Sequence, residues 1–311
     1  MDTSNSTHGA VPLSHLGVIG ARGADAAKFL QGQLTNDVAS LGASKVRLAG
    51  FCSAKGRLQA SFLVSSAAPD ELSLVCAASV LPATLKRLSM FVLRAQCKLR
   101  DATAEARLWG LVGETARAQI GDLPLWGRRE AEGTSTLRLP DVGGVARCIV
   151  SAPPDALASA WPAVTLEHWR WLEVQSGLPT IEAATVEQFV PQMLNYEIVG
   201  GVDFQKGCYP GQEVVARSQY RGTIKRRMFL FDVDAEAAAG QEVFHSDDAS
   251  QPAGMVVNAA PRPDGSGWSA LVEVKLAALE AGSLHLGAAD GAPLRLGAMP
   301  YVIASDTPQP V

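Results

Sequence analysis

Apolar residues along this chain recur with two periods, and the dominant period changes along its length. The segment "LGVIGARG" (16–23) is a short apolar run closed by glycines, which predicts a strand. Immediately after it, Ala26, Phe29, Leu30 and Leu34 stand at i, i+3, i+4 and i+8, the stripe of an amphipathic helix. "TNDV" (35–38) is a turn-forming exit. "KVRLAGFCSAKGRLQASFLVSS" (45–66) predicts two strands that reverse at Ser53-Ala54-Lys55-Gly56. "ELSLVCAA" is a further strand, "VLPATLKRLSMFVL" (80–93) a helix starting at Pro82, and "CKLRDATAEARLWGLVG" (97–113) two more strands.

In the second half, "GVARCIVSA" (144–152) predicts a strand, and helices follow around 154–162 and 165–176. Gly177, with Pro179 just beyond, is the expected stop of the latter helix. From Met228 onward, short apolar runs alternate with Gly, Pro and Asp: "MFLFDV", "EVFHS", "AGMVVNAA", "WSALVEV", "SLHLGA", "PLRLG" and "PYVIA". Strands at that spacing predict a small all-β barrel or sandwich. The expected organisation is therefore a disordered polar tail at 1–13, a mixed α+β region at 14–224 and a β region at 225–311.

Composition narrows the function classes. The 311 residues suffice for about two domains. A formal charge of −4 supplies no global field for nucleic acid or an anionic membrane, so direct DNA binding and membrane association are not expected. The five cysteines (Cys52, Cys76, Cys97, Cys148 and Cys208) are scattered and form no CxxC pair, which argues against a disulfide framework or a metal site of clustered thiolates. No signal, transit or membrane-spanning pattern stands out, so a monomer in a reducing cytoplasm is the expectation. The histidines His8, His15, His168, His245 and His285 sit in no recognisable motif, and His168, flanked by Trp169 and Trp171, reads as packing.

Candidate chemistry concentrates in "DFQKGCYPGQEVVAR" (203–217). Pro210-Gly211 fits the centre of a type II turn, where glycine supplies a positive φ. Gly207 allows close approach of the backbone. In an extended segment Lys206 and Cys208 would project the same way, and an ammonium near a thiol favours thiolate. The bland alternative is a buried, inert Cys208 in an ordinary turn. Glu213 and Arg217 are spaced to pair on a helical turn. Just beyond, "RSQYRGTIKRR" (217–227) holds Arg217, Arg221, Lys225, Arg226 and Arg227 with no acid, a local field for an anion.

These residues carry a resemblance. "KGCYPGQEVVAR" followed by "YRG" and "KRR", with "GLPTIEAATVEQFVPQMLN" (177–195) upstream and "LGVIGARGADAAKFLQGQLTNDV" and "FCSAKGRLQASF" near the N-terminus, resembles the YgfZ family of folate-binding proteins. That family is similar to the T-protein, the aminomethyltransferase of the glycine cleavage system. The resemblance implies a ring of two interleaved α/β subdomains around a tetrahydrofolate cavity, closed by a C-terminal β-barrel. It also implies a role in maturing or repairing iron–sulfur enzymes, including a radical tRNA-modifying methylthiotransferase. Partners would then be folate and iron–sulfur client enzymes or assembly proteins. The family's Lys and Cys map onto Lys206 and Cys208, the candidate catalytic pair. Gly207, Tyr209, Gly211, Gln212, Glu213, Arg217 and Arg221 are the candidate cofactor-binding residues. A folate is a flat heterocycle with a polyanionic tail, suited to a deep apolar pocket with cations near its mouth.

The rival reading is a genuine folate-dependent aminomethyltransferase. That family carries an acidic pair in the strand after a Gly-Gly turn, and here Gln59, Ala60 and Ser61 stand where the acids would lie. No Asp or Glu occurs between Lys45 and Ser66. A third reading, a scaffold that uses the basic segment for RNA, is weak because only Tyr209 and Tyr220 lie close by.

Overall fold

The computed structural model describes residues 8–68, 70–105, 107–153, 161–220 and 224–303. Its first ten strands are β1 (Gly9–Pro12), β2 (Leu16–Arg22), β3 (Val46–Cys52), β4 (Leu58–Ala68), β5 (Glu71–Ala77), β6 (Lys98–Asp101), β7 (Arg107–Val112), β8 (Arg128–Ala131), β9 (Thr134–Val142) and β10 (Val145–Ala152). Helices α1 (Ala26–Gln31), α2 (Leu81–Phe91) and α3 (Gly113–Ile120) are set among them, and α4 (Leu166–Gln175) and α5 (Gln212–Tyr220) follow. The remaining strands are β11 (Arg226–Val233), β12 (Glu242–His245), β13 (Gly254–Pro261), β14 (Trp268–Lys275), β15 (Leu284–Leu286), β16 (Ala292–Pro293) and β17 (Arg295–Leu296).

Three antiparallel sheets result. One runs β3-β4-β5-β2-β6 and another β1-β7-β10-β9-β8. The chain therefore starts in the second sheet with β1, completes the first with β2–β6, and returns to finish the second, so the two units interleave as expected. Residues 9–12, expected within a disordered tail, form β1. Ala10 and Val11 are buried, and the strand pairs with β7 from Gly9↔Val112 to Pro12↔Trp109, a partner about a hundred residues away.

The third sheet runs β16-β15-β12-β13-β14-β11-β17. Its two edges, β16 and β17, are separated in sequence by Leu294 alone, so one short segment joins both edges and nearly closes a barrel. "PYVIA" is an exception to the predicted strands: Tyr301 donates its hydroxyl to the Gly177 carbonyl at 2.9 Å instead.

Local signals explain the helices that position the interior. Thr165 caps α4 by accepting from the His168 N–H at 3.2 Å, and Gly177 with φ +66° ends it. Trp169 on α4 is fully buried against β7, where Gly110 makes room: a Cβ there would lie 2.5 Å from the indole. Helix α1 stops at Gln31, short of the predicted Leu34, because strand-type pairing takes over: Leu34 bridges Phe51 and the Thr35 N–H donates to the Gly50 carbonyl at 2.9 Å. The helix predicted around 154–162 falls largely outside the described residues. Among the described residues no helix is long and apolar enough to cross a membrane.

Candidate functional site

The 203–217 stretch folds against the first sheet. The Gln212 N–H donates to the Tyr209 carbonyl at 3.2 Å and Gly211 has φ +79°, which makes Tyr209–Gln212 the expected type II turn. Gly211 is pressed onto the β3–β4 hairpin, where a Cβ would lie 2.3 Å from the Ser53 carbonyl oxygen. Gly207 meets no such wall; nothing lies within 4 Å of a Cβ added there.

Lys206 turns inward. Its ammonium donates to the carbonyls of Gln31 and, at 2.6 Å, Leu34, and stands 5.1 Å from the centre of the buried Tyr209 ring. Burial pulls its pKa down to about 8, against the opposing pull of Asp37, Asp203 and Cys208. Cys208 is exposed, so it is not the buried turn residue of the bland alternative. The ammonium is thus committed mainly to carbonyls and a ring rather than to the thiol.

Gln212 opens α5, on which Glu213 and Arg217 are exposed one turn apart; no ion pair joins them among the described residues. Arg221 lies outside the described residues. The basic cluster is smaller than its sequence suggested. Arg226 forms a two-pronged pair with the buried Glu273, its second contact at 3.0 Å. Arg227, itself buried, pairs with Glu197 and donates to the Gln192 carbonyl at 3.0 Å. Both arginines face structural carboxylates, which leaves Arg217 and Lys225 as the exposed cations described here.

A second feature lies in the interior, where the three sheets and α4 converge. A cavity of about 290 Å³ is lined by His15, Ser79, Glu173 and Asn258 among others. Through shared walls at Glu173, Leu178 and Thr180 it adjoins a narrower apolar space of about 70 Å³ bounded by Leu48, Phe62, Leu139 and Arg147. Asn258 of β13 fixes one wall by receiving the Thr180 N–H at 2.9 Å and donating to its carbonyl at 2.8 Å.

Glu173 lies deep in the fold, yet 28% of its side chain remains accessible, because it faces this cavity. Burial alone would raise its pKa. Hydrogen bonds from His15 Nε2 at 3.0 Å and Trp169 Nε1 at 2.8 Å, with the charge of Arg147, outweigh burial and hold the carboxyl below its usual range. Arg147 is 1% exposed and stacks 5.7 Å from the Trp169 ring centre. Burial depresses its pKa to about 10, opposed by Glu173 and Asp141. One Arg147 amino group, Nη2, and His15 Nδ1 are buried without a hydrogen-bond partner. A buried guanidinium N–H and a buried ring nitrogen left unpaired point to a polar ligand.

Residues 206–217 contribute nothing to these walls; the predicted loop and the interior cavity are separate places. His15, Arg147 and Glu173 did not emerge from the sequence pattern. Two signals were nonetheless there: an arginine inside the apolar run "VARCIV", and the i, i+4 spacing of Trp169 and Glu173. Among the described residues no cluster of His, Cys, Asp or Glu suits a metal ion.

Comparison with known proteins adds four findings. The family model of the GCVT N-terminal domain matches residues 3–137. The tRNA-modifying protein YgfZ of Sodalis glossinidius is 32% identical over 272 residues, covering 83% of this chain and 82% of that protein. Its namesake from Colwellia psychrerythraea is 32% identical, covering 76% of this chain and 74% of that protein. The crystal structure of glycine cleavage system aminomethyltransferase T from Bartonella henselae superposes with a TM-score of 0.76 over 96% of this chain and 87% of its own. At 18% identity that likeness speaks to fold alone.

Proposed function

Because the chain belongs to the YgfZ family of tRNA-modifying proteins, we propose that it is a folate-binding accessory protein that supports assembly or repair of iron–sulfur enzymes, a radical tRNA-modifying methylthiotransferase among them. The observation that carries the reading is the pair of adjoining interior spaces, with Glu173 in the walls of both and Arg147 in the wall of the narrower one. At about 290 Å³ the wider space lies just below the roughly 300–1,000 Å³ typical of ligand pockets, and the narrower one extends it.

The donor set fits a reduced pterin. The amino and ring N–H groups of a pterin form a donor edge that suits the Glu173 carboxylate, and its carbonyl suits the unpaired Arg147 amino group. Apolar walls from Leu48, Phe62 and Leu139 suit the flat ring. Arg217 and Arg221 remain the proposed partners of the glutamyl tail. In this reading the loop of Lys206, Gly207, Cys208, Tyr209, Gly211, Gln212 and Glu213 presents the Cys208 thiol to client proteins.

Aminomethyl transfer is the second reading, favoured by the fold of the Bartonella enzyme. Against it, Gln59 occupies the strand position expected for an acid and donates to Glu187 at 2.6 Å. Glu173 accepts from His15 and Trp169, which keeps it ionised as a hydrogen-bond acceptor for a bound ring. A carboxylate held below its usual range is also a poor base near neutrality.

Calorimetric titration with tetrahydrofolate and 5-formyltetrahydrofolate tests the proposal. Binding is expected, with affinity at least tenfold lower in Glu173→Gln. No detectable binding of either folate to the wild-type protein would overturn it, and glycine-dependent methylene transfer by purified components would favour the transferase.

A further inference from the structure

We infer that helix α2 and its C-terminal extension form a docking surface for an acidic, amphipathic segment of a partner protein. The helix buries Leu81, Thr84 and Leu88 in the core of the first sheet. Immediately past the last of these, Met90 is 67% exposed, Phe91 43% and Leu93 86%. Three large apolar side chains exposed within four residues are unusual for a chain with no partner.

Apolar surface is joined by one sign of charge. Between Glu71 and Asp101 the sequence contains no acid, while Lys86, Arg87, Arg94 and Lys98 are all exposed and, among the described residues, have no ion-pair partner. Asp25, at the start of α1, is engaged by the Gln96 N–H at 2.8 Å, and Arg100 on the adjacent strand is already paired with Glu105.

The surface also has a receiving pocket. A space of about 320 Å³ opens between α2 and residues 183–186, with Phe51, Val80 and Val186 as apolar walls and Ala83 and Arg87 on its helix side. On α2, Ala83, Arg87 and Met90 follow the i, i+4, i+7 spacing, so one face carries the pocket and continues towards the exposed knob, and Arg94 follows in the segment just past the helix end. An apolar anchor could enter the pocket while others pack on Met90 and Leu93, where a methionine adapts to varied shapes. Carboxylates flanking those anchors would meet Arg87, Arg94 and Lys86.

Charge selects a protein segment over the two extended polyanions. The whole chain carries −4, so a membrane or nucleic acid large enough to face the entire molecule meets net repulsion outside the patch. A short peptide confined to within about a Debye length, roughly 8 Å at physiological salt, meets only the cations.

The test uses the full chain and a fluorescein-labelled 16-residue peptide with Leu or Phe at i, i+3, i+4 and i+7 and Glu elsewhere. Its controls are a scrambled peptide, vesicles of phosphatidylglycerol and phosphatidylcholine, and a single-stranded RNA 16-mer. Anisotropy should show salt-dependent binding of the amphipathic peptide, at least tenfold tighter than the scramble. Affinity should fall at least tenfold in both Arg87→Glu/Arg94→Glu and Met90→Ser/Leu93→Ser, whose melting temperatures should match wild type because every altered side chain is exposed. Peptide binding unchanged in both variants, or no peptide binding, would sink the inference. So would preferential binding of vesicles or RNA that these variants abolish.

Discussion

The Lys206 ammonium donates to the Leu34 carbonyl oxygen at 2.6 Å, tying the 203–211 loop to the exit of α1 across 172 residues of sequence. The lysine is thus a structural anchor as well as a candidate for chemistry. Because burial lowers its pKa to about 8 from an ordinary 10.5, the folded state binds fewer protons than the unfolded state between those two values. Stability from this group is therefore gained as pH rises through about 8 and is complete above about 10.5. The melting-temperature difference between wild type and Lys206→Met should widen in favour of wild type from pH 8 to pH 10. A difference that is flat or shrinks over that range contradicts the burial.

Two glycines of the loop should behave oppositely. Gly211 combines φ +79° with a hypothetical Cβ 2.3 Å from the Ser53 carbonyl oxygen, so Gly211→Ala should cost more than about 1 kcal/mol. That is a loss of about 2–4 °C or more in Tm for each kcal/mol. Gly207→Ala should leave Tm unchanged, since open space surrounds its Cβ position. Loss of client support in Gly207→Ala at full stability would then report a partner or ligand at that position.

The five cations of 217–227 should likewise separate. Removing Arg226 strands Glu273, which is 2% exposed, and should cost towards the low end of about 3–5 kcal/mol because Arg226 itself keeps some solvent. Arg217→Ala, on the exposed face of α5, should not shift denaturation but should weaken binding of a polyglutamylated folate more than of a monoglutamate. Equal weakening of both would remove the tail from this helix.

What the sequence made legible was what neighbours in sequence decide. The Ser53–Gly56 reversal, the start of α2 at Leu81, one residue before the expected Pro82, and the Thr165–Gly177 limits of α4 all rest on local turn and cap chemistry. What it hid depends on partners from far away. Strand β1 is four residues made stable by β7, and α1 yields its last turn to a bridge with Phe51. Arg226 and Arg227 read as a free basic run because their carboxylates stand 47 and 30 residues distant. The interior cavity was invisible for the same reason: His15 and Glu173 meet across 158 residues.

The cysteines give the last prediction, which concerns the loop's exposed group. Burial pushes the thiols of Cys52, Cys76 and Cys148 up to about 12, with Asp101 adding to the shift at Cys76. Cys97 is half-buried, and burial followed by the Asp25 charge raises it too. Cys208 alone among the five is exposed. Alkylation of the native protein near pH 8 should therefore modify Cys208 first, Cys97 slowly, and the other three only at the rate of unfolding. Cys208→Ala should preserve the melting temperature, since an exposed loop sulfur contributes little packing. If the thiol meets client proteins, the same variant should lose support for iron–sulfur enzyme activity in cells, and Cys208→Ser should not restore it. Cysteine-mapping by mass spectrometry reads the labelling order directly. Slow labelling of Cys208, or full complementation by Cys208→Ser, would leave the loop as a structural anchor held by Lys206 and remove the thiol from its function.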